Sequence, residues 1–169
     1  MHLWLAWGAP EYVLEREQWV PKPMEEVFRF FEDPYNLAKI TPNWLQFTVT
    51  SMIPDTIQEG TVITYRLKWL GIPYTWRTVI ESWVPNVRFT DLMLNGPYIL
   101  WHHTHTFEAR RGGVYLTDRV RYRIPFGPLG MLLHTFIIRR QVDSIFEYRV
   151  GRIAKLLSGG VIFRTPPDN

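Results

Sequence analysis

The sequence predicts an α+β fold in which a strongly curved, seven-stranded antiparallel sheet wraps one long C-terminal helix. Three observations predict it. One strand is followed by two short helices, and then six strands come in succession with short turns, an order that argues against βαβ units. The chain closes with an amphipathic stretch from about Pro128 to Leu157, which has to lie on an apolar surface. Aromatic residues make up 15% of the chain, with 8 Trp, 8 Tyr and 10 Phe, which suggests either a core with large ring-lined spaces or an aromatic binding cavity.

Each element has a local reason. Tyr12 to Val20 reads as a strand, with Leu14 and Val20 on one parity and Glu15 and Glu17 on the other. Pro21-Lys22-Pro23 stops it, and Pro23 suits the first turn of a helix, where its missing N–H is not needed. Glu25 and Glu26 complement the positive end of that helix, and Val27, Phe28 and Phe31 form its apolar face. Asp33-Pro34 ends it, and a second short helix runs from Tyr35 to Ile40. Strands follow over Phe47–Ile53, Thr61–Trp69, Tyr74–Trp83, Arg88–Met93, Tyr98–Ala109 and Val114–Ile124. On the final helix Leu132, Phe136, Val142, Ile145, Phe146, Val150, Ile153 and Leu157 read as the buried face. Arg139, Arg140, Asp143, Glu147, Arg152 and Lys155 take the opposite side, and Arg149 is counted among the solvated basic residues. The chain, residues 1–169, reads as one domain with its core at about 12–157, an N-terminal arm (1–11) carrying Trp4 and Trp7, and a tail (159–169).

Composition excludes several classes. There is no cysteine, so disulfides, thiolate zinc sites, iron–sulfur clusters and cysteine nucleophiles are out. A net charge of +3 is too mild for a nucleic-acid partner, which calls for a concentrated basic stripe. No apolar run approaches the roughly 20 residues of a membrane span. The apolar Met1–Trp7 segment lacks the basic start of a signal peptide. The expectation is a cytoplasmic protein without stable membrane insertion, with a homodimer left open.

Parity then sets registers. A four-residue connection at Arg110-Arg111-Gly112-Gly113 pairs Ala109 with Val114, Phe107 with Leu116, His105 with Asp118, His103 with Val120 and Trp101 with Tyr122, all on one face. The other face carries His102/Arg121, Thr104/Arg119, Thr106/Thr117 and Glu108/Tyr115, which is polar throughout. A one-residue slip would mix the two sets. At Leu70-Gly71-Ile72-Pro73 the same reasoning pairs Trp69 with Tyr74, Leu67 with Trp76, Tyr65 with Thr78 and Ile63 with Ile80. Val87 and Phe89 point inward, and Asp91 with them.

The inner face is therefore not a plain hydrocarbon core. It carries Tyr65, Trp76, Asp91, Trp101, His103, His105, Asp118 and Tyr122, which are the candidate ligand-binding residues. A buried carboxylate needs a partner, and Asp118 has His105 across from it. The pair admits several uses. It can anchor a polar group of a ligand. It can move protons, with His105 and Asp118 as catalytic candidates and Tyr65 or Tyr122 stabilising an enolate. It can also simply brace the sheet. His103 and His105 with Asp118 have the ingredients of a two-histidine, one-carboxylate metal site, but no second carboxylate is securely placed, so neither metal nor cofactor is expected.

The motif Pro23-x-x-x-Val27-Phe28-x-Phe30-Phe31-x-Asp33-Pro34-x-Asn36-Leu37, followed by Ile40-Thr41-Pro42, resembles the opening of the START-like (SRPBCC) superfamily of helix-grip proteins. Asp91-x-x-x-x-Gly96-Pro97-Tyr98-x-x-Trp101-x-His103-x-His105-x-Phe107 and Asp118-x-Val120-x-Tyr122-x-x-Pro125-Phe126-Gly127 are similar to its bacterial ligand-binding and polyketide cyclase/dehydrase-like branch, as is Ile145-Phe146-x-Tyr148-Arg149. The resemblance spans about residues 12–157. It implies a helix-grip fold and a cavity for a small apolar or aromatic molecule between sheet and helix. It supplies no common catalytic residue set. The expected function is binding of such a molecule. A cyclase/dehydratase-type enzyme is the alternative, and a partner- or membrane-docking module the third.

Overall fold

The computed structural model describes residues 9–165. The Met1–Trp7 segment with Trp4 and Trp7, and the final residues 166–169, lie outside the described residues. Strand β1 (Tyr12–Val20) leads into helices α1 (Met24–Glu32) and α2 (Pro34–Lys39), then β2 (Thr48–Val49), β3 (Val62–Trp69), β4 (Ile72–Val84), β5 (Arg88–Asn95), β6 (Leu100–Arg110) and β7 (Gly113–Arg123). A helical stretch closes the chain: α3 (Gly127–Leu133), a π-helical turn (His134–Ile138) and α4 (Arg139–Leu157). The seven strands form one antiparallel sheet in the order β1-β7-β6-β5-β4-β3-β2, so the first two strands occupy opposite edges. This is the helix-grip arrangement.

Two side chains at the chain turns explain local boundaries. Pro23 sits at the N-cap of α1 rather than inside its first turn. Asp33 separates α1 from α2, and its carboxylate accepts the Tyr35 N–H at 2.9 Å, a helix cap that starts α2 one residue earlier than expected.

The β6–β7 register is the expected one, with His105 opposite Asp118 and Trp101 opposite Tyr122. The strands run one pair further, to Arg110 and Gly113, leaving Arg111-Gly112 as a two-residue turn with positive φ at both positions. The β3–β4 hairpin departs from expectation. Its turn is Leu70-Gly71, so Trp69 pairs with Ile72, Leu67 with Tyr74, Tyr65 with Trp76 and Ile63 with Thr78. The shift is two residues, which keeps every side chain on its assigned face. Leu70 (φ 50°) and Gly71 (φ 79°) adopt the left-handed pair whose twist suits a tight hairpin.

The predicted strand over 47–53 shrinks to Thr48–Val49. Beyond it Thr50 and Ser51 both donate their N–H groups to the Thr64 carbonyl, and the Ser51 hydroxyl accepts the Thr64 N–H at 3.0 Å. A side chain thus takes a ladder position and ends the pairing. Val87 is exposed rather than inward, because it belongs to the turn before β5, while Phe89 and Asp91 face the interior. Register shifts near Arg77/Thr78 and Ile80/Ser82 interrupt the β4–β5 ladder, the kind of irregularity that bends a sheet.

The buried face of the C-terminal helix also differs at its start. Leu132 and Phe136 are 57% and 60% exposed, whereas His134 and Ile138 are buried. The π-helical turn, which contains His134, Phe136 and Ile138, re-phases the helix, so that Ile138, Val142, Phe146, Val150 and Ile153 form one continuous stripe against the sheet. Arg149 falls within that stripe and is buried, contrary to its placement among the solvated cations. The tail is tied down at Phe163, whose carbonyl accepts the Trp19 N–H at 2.8 Å and whose ring packs edge-on to Trp19, and at Arg164, whose Nη2 donates to Glu147 Oε2 at 3.0 Å.

Candidate functional site

A cavity of about 180 Å³ lies between the inner face of the sheet and α4, closed on one side by α1 and α2. Its walls are mostly apolar and aromatic: Phe30, Phe31 and Leu37 from the short helices, Ile63 and Leu67 from β3, Trp76 and Ile80 from β4, and Ile145 and Phe146 from α4. The aromatic rings brace one another. Trp76 meets Trp101 edge-on at 5.4 Å, and Tyr98 packs on Trp101 at 4.8 Å between centroids. Alternation along β3, β4 and β6 brings these side chains to one face, and the curvature of the sheet keeps their tips apart.

The polar side of the cavity comes from β5, β6 and α4, backed by β7. Asp91 on β5 pairs across the ladder with His103 on β6, and His105 with Asp118 on β7. His103 Nε2–H donates to Asp118 Oδ1 at 3.1 Å. His105 Nδ1 lies 2.6 Å from the same oxygen, off the ring N–H direction, a close ion pair rather than a linear hydrogen bond. Arg149 reaches Asp118 from α4, with Nη1 3.6 Å from Oδ1. The opposite ring nitrogens, His103 Nδ1 and His105 Nε2, each stand 3.6 Å from Asp91 Oδ2. The other Asp91 oxygen accepts a hydrogen bond from the Thr78 hydroxyl at 3.3 Å.

Electrostatics follow from this packing. Burial pushes the Asp118 carboxyl up, but the His105 charge and the Arg149 guanidinium outweigh it and hold it well below the usual range. Burial acts the same way on Asp91, and the nearby His105 and His103 imidazoles with the Arg149 guanidinium lower it overall. Burial would neutralise His105, but Asp118 beside it raises it above its ordinary value. His103 goes the other way: burial and the neighbouring His105 charge bring it down to about 4. Asp91 and Asp118 thus lie on opposite sides of the two imidazoles, with Arg149 beside Asp118. Burial, reinforced by the Asp91 charge, also raises Tyr65 and keeps its phenol protonated, a hydrogen-bond donor on the cavity wall.

Of the eight residues expected to meet a ligand, Tyr65, Trp76, Asp91, Trp101, His103 and His105 line this cavity. Asp118 does not; it stands behind the two histidines and holds them. Tyr122 packs behind Trp101 and Tyr98, and its hydroxyl turns away to His134 Nε2 at 2.9 Å. The carboxylate on the open side of the two histidines is therefore Asp91, while Asp118 lies behind them. Two residues were missed. Arg149 had a visible signal, since it lies three residues after Phe146 and four before Ile153, inside the apolar stripe. His134, which stacks on Tyr12 at 3.4 Å between centroids, had only the six-residue gap from Phe136 to Val142, a spacing no single helical face allows.

No family model matches the sequence, and none of the curated proteins compared with it matches either. Solved structures do share the fold. An uncharacterised protein from Rhizobium leguminosarum superposes with a TM-score of 0.66 at 16% identity, covering 90% of this chain and 97% of its own. Protein CV1439 from Chromobacterium violaceum gives 0.65 at 18% identity, with 86% and 97% covered. Ara h 8.0201 gives 0.57 at 16% identity, with 86% and 99% covered. These likenesses are to the helix-grip fold as a whole and single out no branch of it. Among the described residues, no helix is long and apolar enough to cross a membrane.

Proposed function

We propose that this protein binds a small apolar or aromatic molecule carrying at least one polar group, in the cavity between the sheet and α4. The observation that carries this reading is the composition of the walls: rings and aliphatic chains on most sides, with Asp91, His103, His105 and Arg149 converging on one. Sites of this kind use a few converging polar atoms to orient a mainly apolar guest. The size is informative. At about 180 Å³ the cavity is close to the ~150 Å³ that accommodates a single benzene ring in an apolar core. A guest of one ring with a polar substituent fits without rearrangement.

The test is native mass spectrometry of the purified protein, with solvent extraction of any co-purifying molecule, followed by titration with monocyclic phenols. A bound mass released on extraction, or saturable binding of a phenol, supports the reading. Ile80→Phe, which puts a ring into the cavity, should weaken that binding at least tenfold while the protein stays folded. Absence of both a co-purifying mass and phenol binding defeats the proposal.

One arrangement favours a second reading, a cyclase/dehydratase-type enzyme. His103 and His105 face the cavity while Asp118 orients both rings from behind, which is how a carboxylate prepares an imidazole for proton transfer. Turnover lost in His105→Gln with ligand affinity retained would select the enzyme.

A further inference from the structure

We infer that Asp91, His103 and His105 form a binding site for a divalent first-row transition-metal ion on the wall of the cavity. The inference is independent of what the apolar part of the cavity holds.

The geometry is that of a ligand set with its centre open. Asp91 Oδ2 is 3.6 Å from His103 Nδ1 and 3.6 Å from His105 Nε2, and all three donor atoms lie within 4.8 Å of one another. These separations are too long for direct hydrogen bonds. An ion about 2.1 Å from each donor, in tetrahedral geometry, sets donor atoms about 3.4 Å apart. The two Asp91–histidine separations fall within a few tenths of that value without movement of the backbone.

The surroundings match as well. A metal-bound histidine ordinarily gives its second ring nitrogen to a carboxylate or carbonyl, which fixes the tautomer and the ring plane. Here one carboxylate serves both rings: Asp118 Oδ1 is 3.1 Å from His103 Nε2 and 2.6 Å from His105 Nδ1. When the rings bind a metal as neutral imidazoles with those N–H groups turned to Asp118, their lone pairs are on the two atoms that face Asp91. Thr78 holds the remaining Asp91 oxygen at 3.3 Å, so Oδ2 is the one presented inward.

Two imidazoles and one carboxylate suit zinc, cobalt or ferrous iron better than magnesium or calcium, which prefer all-oxygen shells. Asp91, His103 and His105 all line the cavity, so a fourth coordination position opens towards a bound guest. His102 stays outside the set, on the other face of β6, with Nε2 2.7 Å from Glu81.

The experiment is calorimetric titration of chelator-treated full-length protein with Zn²⁺, repeated with Co²⁺ while recording the visible spectrum. The expected result is one equivalent of Zn²⁺ bound, and visible bands of low-coordinate Co²⁺. Asp91→Asn and the double variant His103→Ala/His105→Ala should lose binding at least a hundredfold. Asp118→Asn should weaken it about 10- to 100-fold, as expected for a group that orients the ligands. His102→Ala, remote from the set, should leave it unchanged. Circular dichroism confirms that each variant is folded. If the double variant does not fold, Asp91→Asn alone decides. Uptake of no Zn²⁺ by the wild type at 100 µM, uptake insensitive to Asp91→Asn, or uptake abolished by His102→Ala would each overturn the proposal.

Discussion

Arg149 on α4 and Asp118 on β7 meet across the interface between helix and sheet, with Nη1 3.6 Å from Oδ1 and both side chains buried. The contact fixes the helix over the polar wall of the cavity. It also ties the position of α4 to the two histidines, since Asp118 holds both.

Removing the guanidinium should therefore be costly. Arg149→Met preserves much of the volume but leaves Asp118 with less positive charge in a buried site. We expect a loss of about 3 kcal/mol, the range for breaking a buried ion pair by removing one partner. The measurement is the urea midpoint at constant m-value. A change below about 1 kcal/mol would mean that His103 and His105 satisfy Asp118 without the helix. Combining Arg149→Met with Asp118→Asn should recover part of the loss.

The Leu70-Gly71 turn offers a gain. Leu70 is a branched residue at φ 50°, partly exposed, in a turn that favours Asn followed by Gly. Leu70→Asn should stabilise the protein by about 0.5–1 kcal/mol, because a non-glycine residue other than Asn or Asp is strained there. Gly71→Ala, at φ 79° with open space around the added carbon, should destabilise by about 1 kcal/mol through backbone strain alone. Thermal melts of the two variants should move in opposite directions. Equal shifts would contradict the two-residue turn.

His134 gives the fold a pH dependence. Burial and the nearby Arg139 charge lower it from its ordinary value, while its Nε2 stays with the Tyr122 hydroxyl and its ring stacks on Tyr12. Burial also pushes the Tyr122 phenol up to about 12, so it remains a donor to a neutral imidazole. The unfolded chain takes up this proton at a higher pH than the folded one. The contribution of His134 is thus fully present above about pH 6.5 and is lost as pH falls below it, towards the lowered folded-state value. His134→Gln cannot titrate, so its stability deficit against wild type should be largest near pH 8 and shrink towards about pH 5. A deficit that stays constant over that interval would show that His134 does not titrate with folding.

Much of the site was legible from alternation alone. Parity along β6 and β7 put His103, His105 and Asp118 on the inner face, and the register that joins His105 to Asp118 follows from the polar and apolar division of both strands. The β3–β4 hairpin marks the limit of that argument. A two-residue shift leaves every face unchanged, so parity cannot distinguish it, and the choice fell to the backbone preference of Leu70-Gly71. The same holds for Asp91. Its face was readable from β5, but its partner was not, because which side of two imidazoles a carboxylate approaches depends on the stagger between neighbouring strands.

What the sequence by itself determined is the order of elements, the inner and outer faces of the central strands, and the amphipathic closing helix. These are set by short-range periodicity, where each side chain's direction follows from its neighbours one to four residues away. Tertiary structure alone decided three things. The π-helical turn re-phased the helix, exposing Leu132 and Phe136 and burying His134. Arg149 was drawn inward because a carboxylate already sat on the opposing sheet, and a charge can be buried where its counter-charge is waiting. The size and lining of the expected cavity were set where the curved sheet and the helix part, with large rings bracing each other before they fill the space between. Each of these depends on what faces a residue across the core, and that pairing of distant segments is not written in local spacing.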